Sequence, residues 1–133
     1  VDRKGELNRK KLASIIYEDD KKREELNKLT FIYVVDEIKK RINKIKKKII
    51  VVNAPLLFES NLDQVCDFVI AIIAERNVQI ERIMKRDNIK ADEAEKRLNM
   101  QNTDDFYIEN ADYIIHNKGD IKDIEKQLKD IKI

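Results

Sequence analysis

Glycine is nearly absent from this 133-residue chain, which has only Gly5 and Gly119. That scarcity excludes two common ways of holding a nucleotide. A Walker A loop needs GxxxxGK[ST], so that backbone amides can wrap the phosphates. A dinucleotide-binding turn needs three closely spaced glycines. Neither can be assembled from these residues, so any nucleotide chemistry must borrow its phosphate cradle from elsewhere. Cysteine is just as scarce. Cys66 stands alone and cannot close an internal disulfide, which accords with a reducing cytoplasm. With His116 as the one histidine, no His/Cys metal cluster is expected. No apolar run approaches the roughly 20 residues of a membrane helix. The charged opening from Val1 to Glu6 leads into no apolar stretch, unlike a signal peptide.

Charge, by contrast, is abundant and mixed: 41% of residues are charged, yet the formal net charge is +2. This is the pattern of long solvated helices. The strongest local bias is Lys39, Lys40, Arg41, Lys44, Lys46, Lys47 and Lys48. Clustered lysines can neutralise nucleic-acid phosphates. Ile38, Ile42, Ile45 and Ile49 run through the same stretch at helical spacing, however. The cations therefore read better as the outer face of an amphipathic helix, and no aromatic residues interleave with them to stack on bases. Neither a nucleic-acid nor a membrane partner is expected.

The apolar periodicity predicts three helices at the start: from a cap at Asn8 to about Tyr17, from Asp19 or Asp20 to near Leu29, and from Thr30 to about Lys48. Ile49-Ile50-Val51-Val52 then reads as a β-branched strand buried on both faces and stopped by Asn53-Ala54-Pro55. Phe68 to Ile73 reads as a second strand of the same kind, buried on both faces, and Tyr113 to Ile115 as a short third. Helices are expected over Arg76 to Arg86 and Lys90 to Asn102, with an extra turn before Asn110 and a last helix from Asp120. Buried strands alternating with helices make an α/β layered domain. The sequence shows no linker and no domain boundary. Three parallel strands are few, and the chain opens on Val1, so a preceding segment of two βα units is expected.

Ligands of open α/β sheets bind beyond the carboxyl ends of the strands, and three stretches lie there. The first is Asn53 to Glu59, whose Leu56, Leu57 and Phe58 either line an apolar pocket or cap the sheet. The second holds Arg82, Arg86, Asp87, Arg97 and Gln101. Arginine forks suit phosphate oxygens, but with Glu81, Glu93 and Glu95 nearby the stretch by itself reads better as a salt-bridged surface helix. The third is His116-Asn117-Lys118-Gly119, which could present groups to a purine edge, although most such stretches are only turns.

Taken in order, these pieces resemble the dephospho-coenzyme A kinase family over nearly the whole chain. Gly5 to Ala13 is similar to its Gly-x-Leu-Asp-Arg-x-x-Leu-Ala, and Leu26 to Thr30 to its Leu-Asn-x-Ile-Thr. Val52 to Glu59 resembles Val-Asp-x-Pro-Leu-Leu-Phe-Glu, the most specific piece. Gln79, Arg82, Arg86 and Asp87 match Gln-x-x-Arg-x-x-x-Arg-Asp. Arg97 and Gln101 match a later Arg-x-x-x-Gln, and Ala111 to Gly119 resembles Ala-Asp-x-x-Ile-x-Asn-x-Gly.

The resemblance implies a P-loop-type parallel sheet with a helical substrate domain and a lid, lacking here the N-terminal strand, P-loop and helix. It divides the chain into an acceptor-binding part (1–48), core strands with an acceptor loop (49–75), lid helices (76–110) and a terminal strand and helix (111–133). It implies transfer of the ATP γ-phosphoryl group to the 3′-hydroxyl of dephospho-coenzyme A in the cytoplasm, with Mg²⁺ in the complete enzyme. Arg9, Asn27, Pro55, Leu56, Leu57, Phe58 and Glu59 would serve the acceptor. Arg82 and Arg86 would contact phosphates from the lid, beside Arg97 and Gln101. Asn117 and Gly119 would lie near the adenine. Two departures stand out: Phe31-Ile32 replaces a common His-Pro, and Asn53 replaces a common Asp, so that Asn53 would hold Mg²⁺ through water only weakly. The chain alone is expected to be inactive, and marginally stable, rearranged or oligomeric through uncovered sheet edges. The alternative is a natively short, non-catalytic relative that binds a nucleotide or protein partner.

Overall fold

A computed structural model describes residues 5–132. Val1, on which the expectation of a preceding segment rests, lies outside them. The order is α1 (Arg9–Glu18), α2 (Asp20–Lys44), a 3₁₀ turn (Asp63–Val65), β1 (Ile70–Ile73), α3 (Arg76–Asp87), α4 (Ala91–Leu98), α5 (Asp104–Asn110), β2 (Tyr113–His116) and α6 (Ile121–Asp130). The chain divides between Val65 and Cys66 into two compact units. No Gly- or Ser-rich linker marks that division, so composition gave no sign of it.

In the first unit, Asn8 and Asp19 accept the backbone N–H groups of Lys11 and Lys22, capping α1 and α2. The expected break at Thr30 is absent, and the second and third helices are one. The Thr30 hydroxyl bonds back to the carbonyl oxygens of Leu26, at 2.7 Å, and Asn27, at 3.2 Å. A threonine used this way sits inside a helix and cannot cap a new one. The helix then stops at Lys44, short of the lysine cluster's end.

The strand expected at Ile49 to Val52 does not form, and Val51 is 85% exposed. A β-branched run becomes a strand only where another strand accepts its hydrogen bonds, and the described sheet consists of β1 and β2 alone. Pro55 to Asn61 instead coil into tight turns. Ser60 Oγ donates to the Leu56 carbonyl at 2.7 Å, and the Leu62 amide to that of Leu57 at 2.9 Å. These turns lead into Leu62, which is buried.

The second unit is a βαβ arrangement. β1 and β2 pair in parallel, with Ile70 opposite Tyr113 and Ile73 opposite His116. Asp112 closes the amino end, accepting the Val69 N–H at 2.7 Å. Gln127 of α6 closes the other: its side-chain oxygen accepts the His116 N–H at 2.9 Å and its amide donates to the His116 carbonyl at 3.0 Å. Ala71, Ile73, Ile115, Ala94 and Leu98 are buried. Ile72, between two buried neighbours, is 63% exposed. The reading of a strand buried on both faces is therefore corrected: within this unit one face of β1 is covered. The expected helix from Lys90 to Asn102 ends at Leu98, and Thr103 caps a separate α5 by accepting the Phe106 N–H.

Candidate functional site

Two clusters of the second unit gather residues singled out above. β1 delivers the chain into α3, and Gln79 ties the start of the helix to the strand end by donating to the Ala74 carbonyl at 2.7 Å. One turn on, Arg82 reaches the loop that follows β2. Its Nη2 donates to Asn117 Oδ1 at 3.1 Å, and the same oxygen accepts the Gly119 N–H at 3.1 Å. Arg82 and the Asn117–Gly119 turn, 35 residues further along the chain, thus form one contact at the carboxyl end of β2.

Gly119 is required there by its backbone. Its φ is +103°, whereas a Cβ would meet only Arg82 Nη2 at an ordinary 3.9 Å. Gly119→Ala is therefore expected to cost about 1–2 kcal/mol, read as a lower urea midpoint with an unchanged slope. An unchanged midpoint would mean that the turn relaxes freely.

The second cluster centres on Asp87, the last residue of α3. Arg86 grips it with both arms of its fork, Nε to Oδ1 at 2.7 Å and Nη2 to Oδ2 at 2.8 Å. Arg97 of α4 donates through Nη1 to the same Oδ2. Between the helices, Asn88 turns the chain in the left-handed conformation, with φ 53°. At the opposite end of α3, Arg76 donates to Glu95 at 3.2 Å and Asn99 at 2.6 Å. The α3–α4 hairpin is thus pinned at both ends.

The hydrogen bonds from Arg86 pull the Asp87 carboxyl down, partial burial opposes them, and the charges of Arg86 and Arg97 add to the pull. The result lies at about 2 rather than 3.8, so the group is ionised at neutral pH. One carboxylate between two guanidinium groups leaves a net positive charge. Glu95 pairs with Arg76, while Arg86 and Arg97 converge on Asp87. The aspartate's linking role was not legible, because nothing in the spacing of residues 87 and 97 announces a contact between helices. Gln101 is exposed just beyond α4, its N–H donating to the Leu98 carbonyl.

The remaining candidates belong to the first unit. Arg9 opens α1 and is exposed, and Asn27 is half-buried in α2. Asn53, Pro55, Leu56 and Glu59 are exposed, with Leu57 and Phe58 half-buried in the turns. A groove of about 330 Å³ runs between α2 and those turns, lined by Phe31, Ile32, Val35, Asp36, Lys39 and Ser60. The Phe31-Ile32 departure therefore lines an apolar surface, a consequence invisible in the sequence. Among the described residues no three His, Cys, Asp or Glu side chains cluster as a metal site needs, and Asn53 offers an uncharged amide. This donor set does not fit a resident divalent cation. No helix among the described residues is long and apolar enough to cross a membrane.

The sequence profile of the dephospho-CoA kinases matches residues 1–123. The chain belongs to the dephospho-CoA kinase family. The dephospho-CoA kinase of Fusobacterium nucleatum is 35% identical over 128 residues, which make up 96% of this chain and 66% of that protein. The one from Lactobacillus johnsonii is 38% identical over 128 residues, or 94% of this chain and 65% of that protein. The chain thus spans slightly less than two thirds of the length of these curated relatives. A dephospho-CoA kinase structure from Campylobacter jejuni has a TM-score of 0.60 at 26% identity, covering 96% of this chain and 64% of that one. A crystal structure from Thermus thermophilus, at 22% identity, shares the fold with a TM-score of 0.77, covering 94% and 65%. The dephospho-CoA kinase resemblance carried by the ordered motifs is borne out. The architecture is α/β, with a small parallel sheet and six helices among the described residues.

Proposed function

We propose that this chain is the acceptor-binding and lid portion of a dephospho-CoA kinase. In the reaction the 3′-oxygen of dephospho-CoA bonds to the γ-phosphorus of ATP, the bond to the bridging oxygen breaks, and ADP leaves. The observation that carries this reading is the convergence of Arg86 and Arg97 on one hairpin, in a chain that matches the kinase family over residues 1–123. Phosphoryl transfer is mostly positioning and charge neutralisation, and a closing lid supplies both while excluding water. Arg82 and Arg86 contact the phosphates, with Arg97 and Gln101 completing the lid. Asn117 and Gly119 lie against the adenine. Arg9, Asn27 and the Pro55 to Glu59 turns hold the acceptor. The phosphate cradle and the general base come from a P-loop-bearing part that this sequence does not contain, so the 133-residue chain alone is inactive. Joined to that part, Ile49 to Val52 gains the strand partner it lacks and extends a P-loop-type sheet. The exposed Val51 and the two edge strands support association with another polypeptide through sheet edges. We place the reaction in the cytoplasm on its substrates, ATP and dephospho-CoA.

A second reading is a non-catalytic relative that binds a nucleotide or protein partner. The apolar groove lined by Phe31 and Ile32, together with Asn53, favours it. One experiment separates the two. The chain, alone and joined to the P-loop-bearing part of the Lactobacillus johnsonii kinase, is given γ-labelled ATP and dephospho-CoA. Label on the 3′-hydroxyl is expected from the joined protein only. A folded joined protein without turnover would select the second reading.

A further inference from the structure

We infer that Asp87 is a positioning residue, holding the guanidinium groups of Arg86 and Arg97 side by side as one preformed polyphosphate-binding pair. This rests on the proposed assignment of those arginines to phosphate contact, and it deepens that assignment by saying what makes the pair. Two cations on neighbouring helices repel, and long arginine side chains lose much rotamer freedom when a ligand fixes them. Asp87 counters both effects. It accepts two hydrogen bonds from Arg86 and one from Arg97, so both side chains are oriented before an anion arrives. Its side chain is 19% exposed, against 72% for that of Arg86. The carboxylate therefore lies beneath the arginine and not in the path of a ligand coming from solvent. Because one negative charge serves two positive ones, the triad keeps a net positive charge with which to attract phosphate.

The sign of a single substitution tests this. Asp87→Asn removes a negative charge, so if Asp87 were only an electrostatic neighbour, an anion would bind more tightly to the variant. If Asp87 positions the pair, binding weakens, by about tenfold, because the ligand must now order two arginines itself. The measurement is calorimetric titration of the 133-residue chain with inorganic tripolyphosphate, with helix content and urea midpoint followed in parallel. Asp87→Glu, which keeps the charge and the acceptor oxygens, is expected to recover most of the lost affinity. Tighter or unchanged binding by Asp87→Asn overturns the inference, as does no binding by the unsubstituted chain. A second readout covers the case in which Asp87→Asn does not fold. In the unsubstituted chain the Arg86 Nε–H resonance is expected to be resolved and slow to exchange, and to shift when tripolyphosphate is added; a fast-exchanging, averaged signal overturns the inference. The titration needs no turnover, so a joined protein that fails to phosphorylate dephospho-CoA would count against the proposed function and leave this result standing.

Discussion

Arg86→Ala is expected to lower kcat/KM of the joined kinase by about 100-fold while leaving the fold in place. The magnitude follows from what a preorganised donor contributes where charge develops in a transition state, of order 10²–10³ in rate. Preservation of the fold follows from position. The Arg86 side chain is 72% exposed at the last turn of α3, and its fork grips the adjacent Asp87 of the same helix. Arg97 still connects Asp87 to α4 when Arg86 is gone. Arg86→Lys sharpens the test. Lysine keeps the charge but cannot grip Asp87 with a planar fork, so it should recover part of the loss and no more. The measurement is steady-state transfer from ATP to dephospho-CoA at varied ATP, with the urea midpoint as a control. If kcat/KM is unchanged in a folded Arg86→Ala protein, Arg86 lies away from the phosphates and the lid assignment fails.

The sequence reading and the structure agree where a segment carries its own partners. α1, α3 and the caps at Asn8 and Asp19 are written in local side-chain chemistry, and each forms as read. β1 and β2 also form, because each is an apolar run whose partner lies in the same chain. Ile49 to Val52 has equal β propensity and no such partner, and it stays irregular. Propensity states what a strand would accept, while the ladder needs a second strand. Thr30 misled for a related reason. Threonine serves as a cap or as an interior residue bonding back to the preceding turn, and only the backbone around it decides. Of the candidate site, Arg82, Arg86, Arg97, Asn117 and Gly119 were legible as residue types on expected helices and just beyond a strand. Their grouping was not. Asn117 meets Arg82 and Asp87 meets Arg97 through tertiary contacts that leave no periodic trace in sequence.

Ile115→Ala is expected to destabilise the second unit by about 2–5 kcal/mol, the range for deleting a buried isoleucine and leaving a cavity. Few side chains there are buried, and two of them, Ala71 and Ala94, are small. Ile115 is 1% exposed at the centre of β2, directly opposite Ile72 in the ladder. A small domain has only about 5–15 kcal/mol in total, so this loss is a large share and should appear as early exposure of the β1 and β2 amides to hydrogen exchange. Ile72→Ala is the matched control. It removes the same atoms from the neighbouring strand at the same level, but Ile72 is 63% exposed, and a change of about 0.5 kcal/mol or less is expected there. The contrast matters more than either value. The two isoleucines have the same shape and intrinsic propensity, and they differ in burial. Residues paired in a ladder share one face, so equal losses would show that this face is covered over β1 as well as over β2 in solution. In that case the exposed face of β1 would be occupied by another polypeptide, as expected if the chain associates through its uncovered sheet.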